Sequence, residues 1–250
     1  MTKLEDMKIK IFADGADLEA IRKLNGNPLI RGFTTNPTLM RKAGVADYAG
    51  FARDALQIVG DKPISFEVFA DDLASMERQA RIIAGWGRNV YVKIPITNTQ
   101  GVSCVPLVSR LMADGIQVNV TAILTPEQIR EVIDAVSDTV ASYVSIFAGR
   151  IADSGRDPVP IVAEAQRLLK SKPAAEIIWA SPREVLNIWH AESVGCQIIT
   201  VTPDILAKLS LWGKDLAVYS LETVSMFYQD ATRAGYTIEE DRSAAKRATA

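Results

Sequence analysis

A lysine set in an apolar run is the first place where this sequence could do chemistry. Lys93 lies within residues 89–97, enclosed by Val92, Ile94 and Ile96. Burial strips water from an ammonium and favours the neutral amine, which is the nucleophile needed to form an imine with a ketone. The competing reading is a strand-end lysine that lays its stem on apolar neighbours and keeps its nitrogen in water. Glu67 stands in a similar run of Ile, Phe and Val, where a carboxylate is costly without a cation or water beside it. Asn119 and Thr121 are two residues apart, so on a strand they face the same way, and two polar side chains entering a core need partners or a substrate.

Further polar residues close other β-rich runs: Asp14; Thr34, Thr35 and Asn36; Ser145 and then Arg150; Ser181 and then Arg183. Each has a bland alternative. Asp14 before Gly15 could be a turn or cap residue, and Asn36 before Pro37 could start a turn and cap a helix. Asn119 and Thr121 could satisfy each other. Arg150 and Arg183 could be surface ion-pair partners. These residues nevertheless recur at the same point of successive runs, and independent accidents would not gather on one rim.

The elements that would position them are eight β-rich runs near Ile9–Ala13, Ile30–Thr34, Ile64–Val68, Val90–Ile94, Gln117–Thr121, Ser142–Ile146, Ile177–Ala180 and Gln197–Val201. Segments of helical periodicity separate them, such as Tyr48, Phe51, Ala52, Ala55, Leu56 and Val59. Alternating strand and helix implies parallel strands joined by crossovers, and eight repeats in this length fit an α/β fold with a single closed (β/α)8 TIM barrel. In such barrels reactive groups sit at the carboxyl ends of the strands, where the polar residues above fall. Thr202 and Pro203 are expected to open a helix. A longer helix after Gly213, with Leu216, Tyr219, Val224, Phe227 and Tyr228, is expected as an addition to the barrel that packs on its own barrel or on another subunit. The barrel with this helix is expected over 1–235 and a frayed tail over 236–250.

With 250 residues, 48% of them hydrophobic and 23% charged, the chain can bury a large core. A net charge of −2 provides no broad attraction to nucleic acid or anionic lipid. A small-molecule partner is therefore expected, with no nucleic acid and no membrane. No run approaches the ~18 apolar residues of a membrane span. Cys104 and Cys196 are too few for a disulfide framework, and the first residues lack the apolar stretch of a signal peptide, so a cytoplasmic location is expected. His190 is the only histidine and is read as a surface residue, which leaves histidine triads and His-rich metal sites without their parts. No metal or cofactor is expected.

Taken together, Thr34-Thr35-Asn36-Pro37-Thr38-Leu39, Phe66-Glu67-Val68, Val92-Lys93-Ile94-Pro95, Asn119-Val120-Thr121, the run Ser145 to Ile151 and Ala180-Ser181-Pro182-Arg183 resemble the transaldolase family, from the first strand to the eighth. The likeness is greatest to the short branch that includes fructose-6-phosphate aldolases. The resemblance implies a class I, metal-free aldol mechanism of carbohydrate metabolism, in the pentose phosphate pathway, acting on sugar phosphates; a homo-oligomer is expected from the apolar surface of the helix after Gly213. It implies Lys93 as the Schiff-base lysine, Asp14 as the acid/base at the bond to be broken, and Glu67 and Thr121 as holders of a proton-carrying water. Asn36, Asn119 and Ser145, with Thr35, match residues around the dihydroxyacetone unit, while Arg150, Ser181 and Arg183 match phosphate-end contacts. Ile146, Ala148 and Pro182 depart from the family pattern at packing or backbone-shaping positions. Aldolases of the branch typically carry Gln in place of Glu67 and Tyr in place of Phe147, so both positions favour transaldolase. The alternatives are a fructose-6-phosphate aldolase and a non-catalytic barrel that binds sugar phosphates.

Overall fold

The β-rich runs form parallel strands that pair in chain order and close on themselves, the first pairing with the last. The computed structural model describes residues 4–238. These residues divide between Ser210 and Leu211 into two compact units.

The first unit is the barrel. It opens with β1 (Lys10–Asp14), α1 (Leu18–Asn25) and β2 (Ile30–Thr34), followed by two helices, α2 (Pro37–Lys42) and α3 (Tyr48–Val59). Next come β3 (Ile64–Glu67), α4 (Leu73–Ala84), β4 (Val90–Pro95), α5 (Val105–Ala113), β5 (Val118–Ile123) and α6 (Pro126–Ala135). After β6 (Ser142–Ile146) there are again two helices, α7 (Ala148–Asp153) and α8 (Val159–Leu169). The unit is completed by β7 (Ala175–Trp179), α9 (Leu186–Ser193), β8 (Ile198–Val201) and α10 (Pro203–Ala207). The strands sit within one or two residues of the expected runs, because apolar residues facing both the barrel interior and the helical layer mark a parallel strand.

β5 differs most from expectation. It continues past Thr121, and its pairing with β6 carries one extra residue between Val120 and Ile123. Ala122 takes that position with φ of 62°, a left-handed conformation costing a non-glycine residue about 1–3 kcal/mol.

Side chains alternate along each strand, so residues two apart share the barrel interior. One interior layer contains Phe12, Tyr91, Tyr143, Ile178 and Ile198, packed as an aromatic and aliphatic floor. The ring of Tyr143 stacks on Tyr91 at 3.9 Å and receives Phe12 edge-on at 5.8 Å. Gly32 belongs to the same layer, and a Cβ there would lie 2.6 Å from the Phe12 ring, so only glycine leaves room for that ring to fill the barrel. His190, expected at the surface, is half-buried with its ring 6.3 Å from Trp179.

The second unit contains α11 (Leu216–Ala234), capped by the Asp215 carboxylate and ended by Gly235 in a left-handed turn at φ of 68°. No residue of this helix is buried. Most of the tail expected over 236–250 lies outside the described residues.

Candidate active site

Each rim residue owes its position to a strand end or to the loop it opens. Asp14 is the last residue of β1, beside Thr34 at the end of β2. Asn36 caps α2, its side-chain oxygen accepting the Leu39 N–H at 3.0 Å with Pro37 at the first helical position. Because an N–H can bond only to the oxygen, the cap fixes the amide orientation and turns its NH2 group toward Asp14, 3.4 Å away. Both the cap and the rim readings of Asn36 therefore hold.

Glu67 and Lys93 are register partners on β3 and β4. The Lys93 side chain is 8% exposed, which rules out a nitrogen lying in bulk water. Its Nζ donates to the Thr35 carbonyl at 2.8 Å and lies 3.5 Å from Glu67 Oε2. Lys93 and Glu67 thus meet the requirement that buried charges be paired. Asp14 Oδ1 accepts from the Thr34 hydroxyl at 2.8 Å. Thr34 has a single hydroxyl hydrogen, and Asp14 takes it, so the short contact between Thr34 and Thr200 has Thr200 as donor. Burial raises the Asp14 carboxyl above the ordinary carboxylate range, opposed first by the Lys93 charge and then by the Thr34 and Asn36 hydrogen bonds.

A cavity of ≈ 560 Å³ opens above these groups. Asp14, Asn36, Glu67, Lys93, Thr121, Ser145, Phe147, Arg150, Ser181 and Arg183 all line it. Thr35 and Asn119 do not. Thr35 is fully buried; its hydroxyl bonds the Ser65 carbonyl and its own carbonyl holds Lys93. Asn119 lies beneath the rim, fully buried, donating to Ser65 Oγ at 3.0 Å and accepting from the Ser145 hydroxyl at 2.7 Å. It orients Ser145 and does not pair with Thr121. Among the described residues, the buried Thr121 hydroxyl has no hydrogen-bond partner, a state costing about 1–3 kcal/mol unless a molecule in the cavity supplies one.

The far wall is basic. The Arg150 guanidinium carbon stands 5.5 Å from the centre of the Phe147 ring, a cation–π arrangement. Arg183 forms an ion pair with Asp153, as its surface reading anticipated, and also donates to Ser181 Oγ at 3.0 Å on the cavity side. Ser181 has φ of 61°, a second left-handed non-glycine residue on this rim. Helix α7 touches the loop after β7 at Gly149, where a Cβ would lie 1.6 Å from the Ser181 carbonyl oxygen. A lysine nitrogen and two carboxylates at one end, with two guanidinium groups at the other, can accommodate a carbonyl compound bearing a terminal anion.

Thr200, Thr202 and Asp204 also line the cavity; of these the sequence singles out only Thr202, and only as the start of a helix. Thr200 could have been found by alternation, two residues after Ile198 in an otherwise apolar strand. Asp204 is hidden in what reads as an ordinary helix start. Among the described residues, His, Cys, Asp and Glu nowhere gather in a group of three or more able to hold a metal, and no helix is long and apolar enough to cross a membrane.

Solved structures with this architecture include 2,3-dimethylmalate lyase, with a TM-score of 0.52 and 10% identity over 96% of this chain and 88% of that one. At that identity the likeness concerns the fold alone. Closer in sequence is a protein named "Probable transaldolase" from Nitrosopumilus maritimus, 35% identical over 208 residues, or 80% of this chain and 87% of the relative. Another with the same name, from a Thermoanaerobacter species, is 36% identical over 202 residues, 80% of this chain and 89% of its own. The transaldolase/fructose-6-phosphate aldolase profile matches residues 11–248, which include every rim residue described above. With the buried lysine, the two carboxylates and the arginine wall all inside that match, the chain belongs to the transaldolase/fructose-6-phosphate aldolase family.

Proposed function

We propose that this chain is a transaldolase that moves a dihydroxyacetone unit from a ketose phosphate, sedoheptulose 7-phosphate or fructose 6-phosphate, to an aldose phosphate through an imine on Lys93. The observation that carries the reading is the enclosed Lys93 nitrogen, 3.5 Å from Glu67 at the foot of a cavity whose far wall holds Arg150 and Arg183. In this mechanism the neutral amine adds to the ketose C2 carbonyl, and water leaves with protons carried by a molecule held between Glu67 and Thr121. Asp14 then takes the proton of the C4 hydroxyl as the C3–C4 bond breaks. The electron pair moves into the iminium and the aldose phosphate leaves. The three-carbon enamine adds to the incoming aldehyde, Asp14 returns the proton, and hydrolysis frees the product ketose. A carboxyl pKa raised by burial, as at Asp14, suits such proton exchange near neutral pH.

Glu67 and Phe147 favour transfer over release of free dihydroxyacetone. A phenyl ring offers no hydroxyl to position water against the residual imine. The experiment is product analysis with fructose 6-phosphate, with and without erythrose 4-phosphate. Sedoheptulose 7-phosphate formed only with the acceptor is the expected result. Free dihydroxyacetone from fructose 6-phosphate alone, at a rate matching transfer, would make the protein an aldolase, and binding without turnover would make it a non-catalytic barrel.

The exposed Leu216, Leu221, Val224 and Phe227 of α11 support assembly with further copies of this chain. Light scattering should report an oligomer, and a monomer at micromolar concentration would remove assembly from the reading.

A further inference from the structure

The strands β2 and β3 diverge a single hydrogen bond early, and the place where they diverge is the place where Lys93 is held. Along this parallel pair the bonds alternate: Phe33 N–H donates to the Pro63 carbonyl, and Thr35 N–H donates to the Ser65 carbonyl at 3.2 Å. The next rung of the same pattern would run from Glu67 N–H to the Thr35 carbonyl. It is replaced. Glu67 N–H donates instead to Tyr48 Oη at 2.8 Å, and the Tyr48 hydroxyl donates to the Glu67 carbonyl at 3.0 Å. The Thr35 carbonyl, left out of the ladder, accepts the Lys93 Nζ at 2.8 Å.

We propose that Tyr48, outside the cavity, is a positioning residue for the Lys93 imine step: its hydroxyl satisfies the Glu67 backbone and thereby reserves the Thr35 carbonyl for the lysine nitrogen. Donation to the fixed Thr35 carbonyl sets the rotation of the Nζ group, and with Glu67 Oε2 3.5 Å away to take a second hydrogen, the third position is left for the lone pair that attacks the substrate. Tyr48 is well built for this task. Its ring is wedged among Phe66, Phe69 and Trp86, with centroids 6.1, 4.5 and 5.3 Å away. Burial raises its phenol above the ordinary value, so the hydroxyl keeps the hydrogen that it donates. Glu67, whose backbone Tyr48 holds at both ends, also carries the carboxylate that faces Lys93, so one hydroxyl sets the position of both groups.

The inference rests on the proposed imine chemistry, and Tyr48→Phe separates the two. The variant keeps the ring and its packing but leaves Glu67 N–H free to compete for the Thr35 carbonyl. With fructose 6-phosphate and borohydride, its rate of adduct formation at Lys93 should fall about tenfold, the effect of one misplaced hydrogen bond, with KM changed less than about twofold. Rates are read where near-ultraviolet circular dichroism shows the native state and are expressed per folded molecule. A substrate-free measurement runs beside it: reductive alkylation of Lys93 by glycolaldehyde and cyanoborohydride, mapped by mass spectrometry, should slow by a similar factor while exposed lysines label at the wild-type rate. If wild-type protein forms no sugar adduct, the proposed function falls, and the glycolaldehyde measurement still decides the role of Tyr48. A Tyr48→Phe protein that melts at a lower temperature yet labels Lys93 at the wild-type rate in both assays would overturn the inference and leave Tyr48 a packing residue.

Discussion

The same strands carry two layers of opposite chemistry. Phe12, Gly32, Tyr91, Tyr143 and Ile198 form the floor, and two residues further along those strands stand Asp14, Thr34, Lys93, Ser145 and Thr200, facing the cavity. The floor is closed by shape: an aromatic ring fits only because Gly32 has no side chain. The upper layer is held by hydrogen bonds, donated by Ser145 to Asn119, by Thr200 to Thr34 and Thr34 to Asp14, and by Lys93 to the Thr35 carbonyl. The difference teaches how a barrel can keep an amine enclosed without burying it in polar surroundings on every side. The floor excludes water from below, so desolvation of the upper layer comes from packing and its charge compensation from a few fixed partners.

That division predicts a graded set of outcomes. Lys93→Met, which keeps an apolar stem of similar volume, should abolish adduct formation with fructose 6-phosphate and borohydride while the fold survives. An adduct mapped to a different lysine would show that the enclosed nitrogen is not the nucleophile. Asp14→Asn should still form the imine but cleave it about 10²- to 10⁴-fold more slowly, so trapping yields the six-carbon adduct where wild type yields mainly the three-carbon one. Intact-mass spectrometry distinguishes the two, and three-carbon trapping at the wild-type rate would pass the cleavage role to Glu67.

The same substitution has a pH-dependent effect on stability. The folded state raises the Asp14 carboxyl, so its contribution to stability is full below the unfolded value near 3.8 and is lost as pH rises through the folded value. Asp14→Asn, uncharged throughout, should therefore be more resistant to denaturant than wild type at neutral pH and lose that advantage in acid.

Arg150→Ala and Arg183→Ala should each cost phosphorylated donors about 10- to 150-fold in kcat/KM, the range for a hydrogen bond to a charged group, and leave unphosphorylated dihydroxyacetone little changed. Equal losses on both would assign the arginines to the fold, through Asp153 in the case of Arg183. The smallest chemical effect is expected from the floor. Gly32→Ala should lower stability by about 1–3 kcal/mol through overpacking against Phe12, yet leave adduct formation per folded molecule unchanged. A native-like Gly32→Ala protein unable to trap sugar would show that the two layers are not separable.

The alternation of apolar runs and helical periods was enough to read eight strands and a rim, because parallel strands covered on both faces leave a dense apolar signal. Polar residues that break such a run, Glu67 and Lys93 above all, are visible for the same reason. Supports were harder to read. Asn119 looks like a cavity residue because alternation reveals which face a side chain takes but not its depth, and it sits one layer too low. Thr200 is small enough to pass as a member of an apolar strand. Tyr48 lies nearly twenty residues before Glu67 on a helix whose aromatic residues all read as core, so a hydroxyl reaching back to a strand leaves no local trace. The left-handed residue Ala122 within β5 is invisible since nothing about alanine announces it, whereas a glycine there would have.

Gly149 sets a limit on how this site could be remodelled. Its backbone lies against the Ser181 carbonyl with no space for a methyl group, so helix α7, which carries Arg150, and the loop that carries Ser181 and Arg183 cannot be redrawn independently. Anyone seeking to widen the substrate range toward uncharged aldehydes would do best to change side chains on a preserved backbone, or to transplant α7 and that loop together as a single cassette.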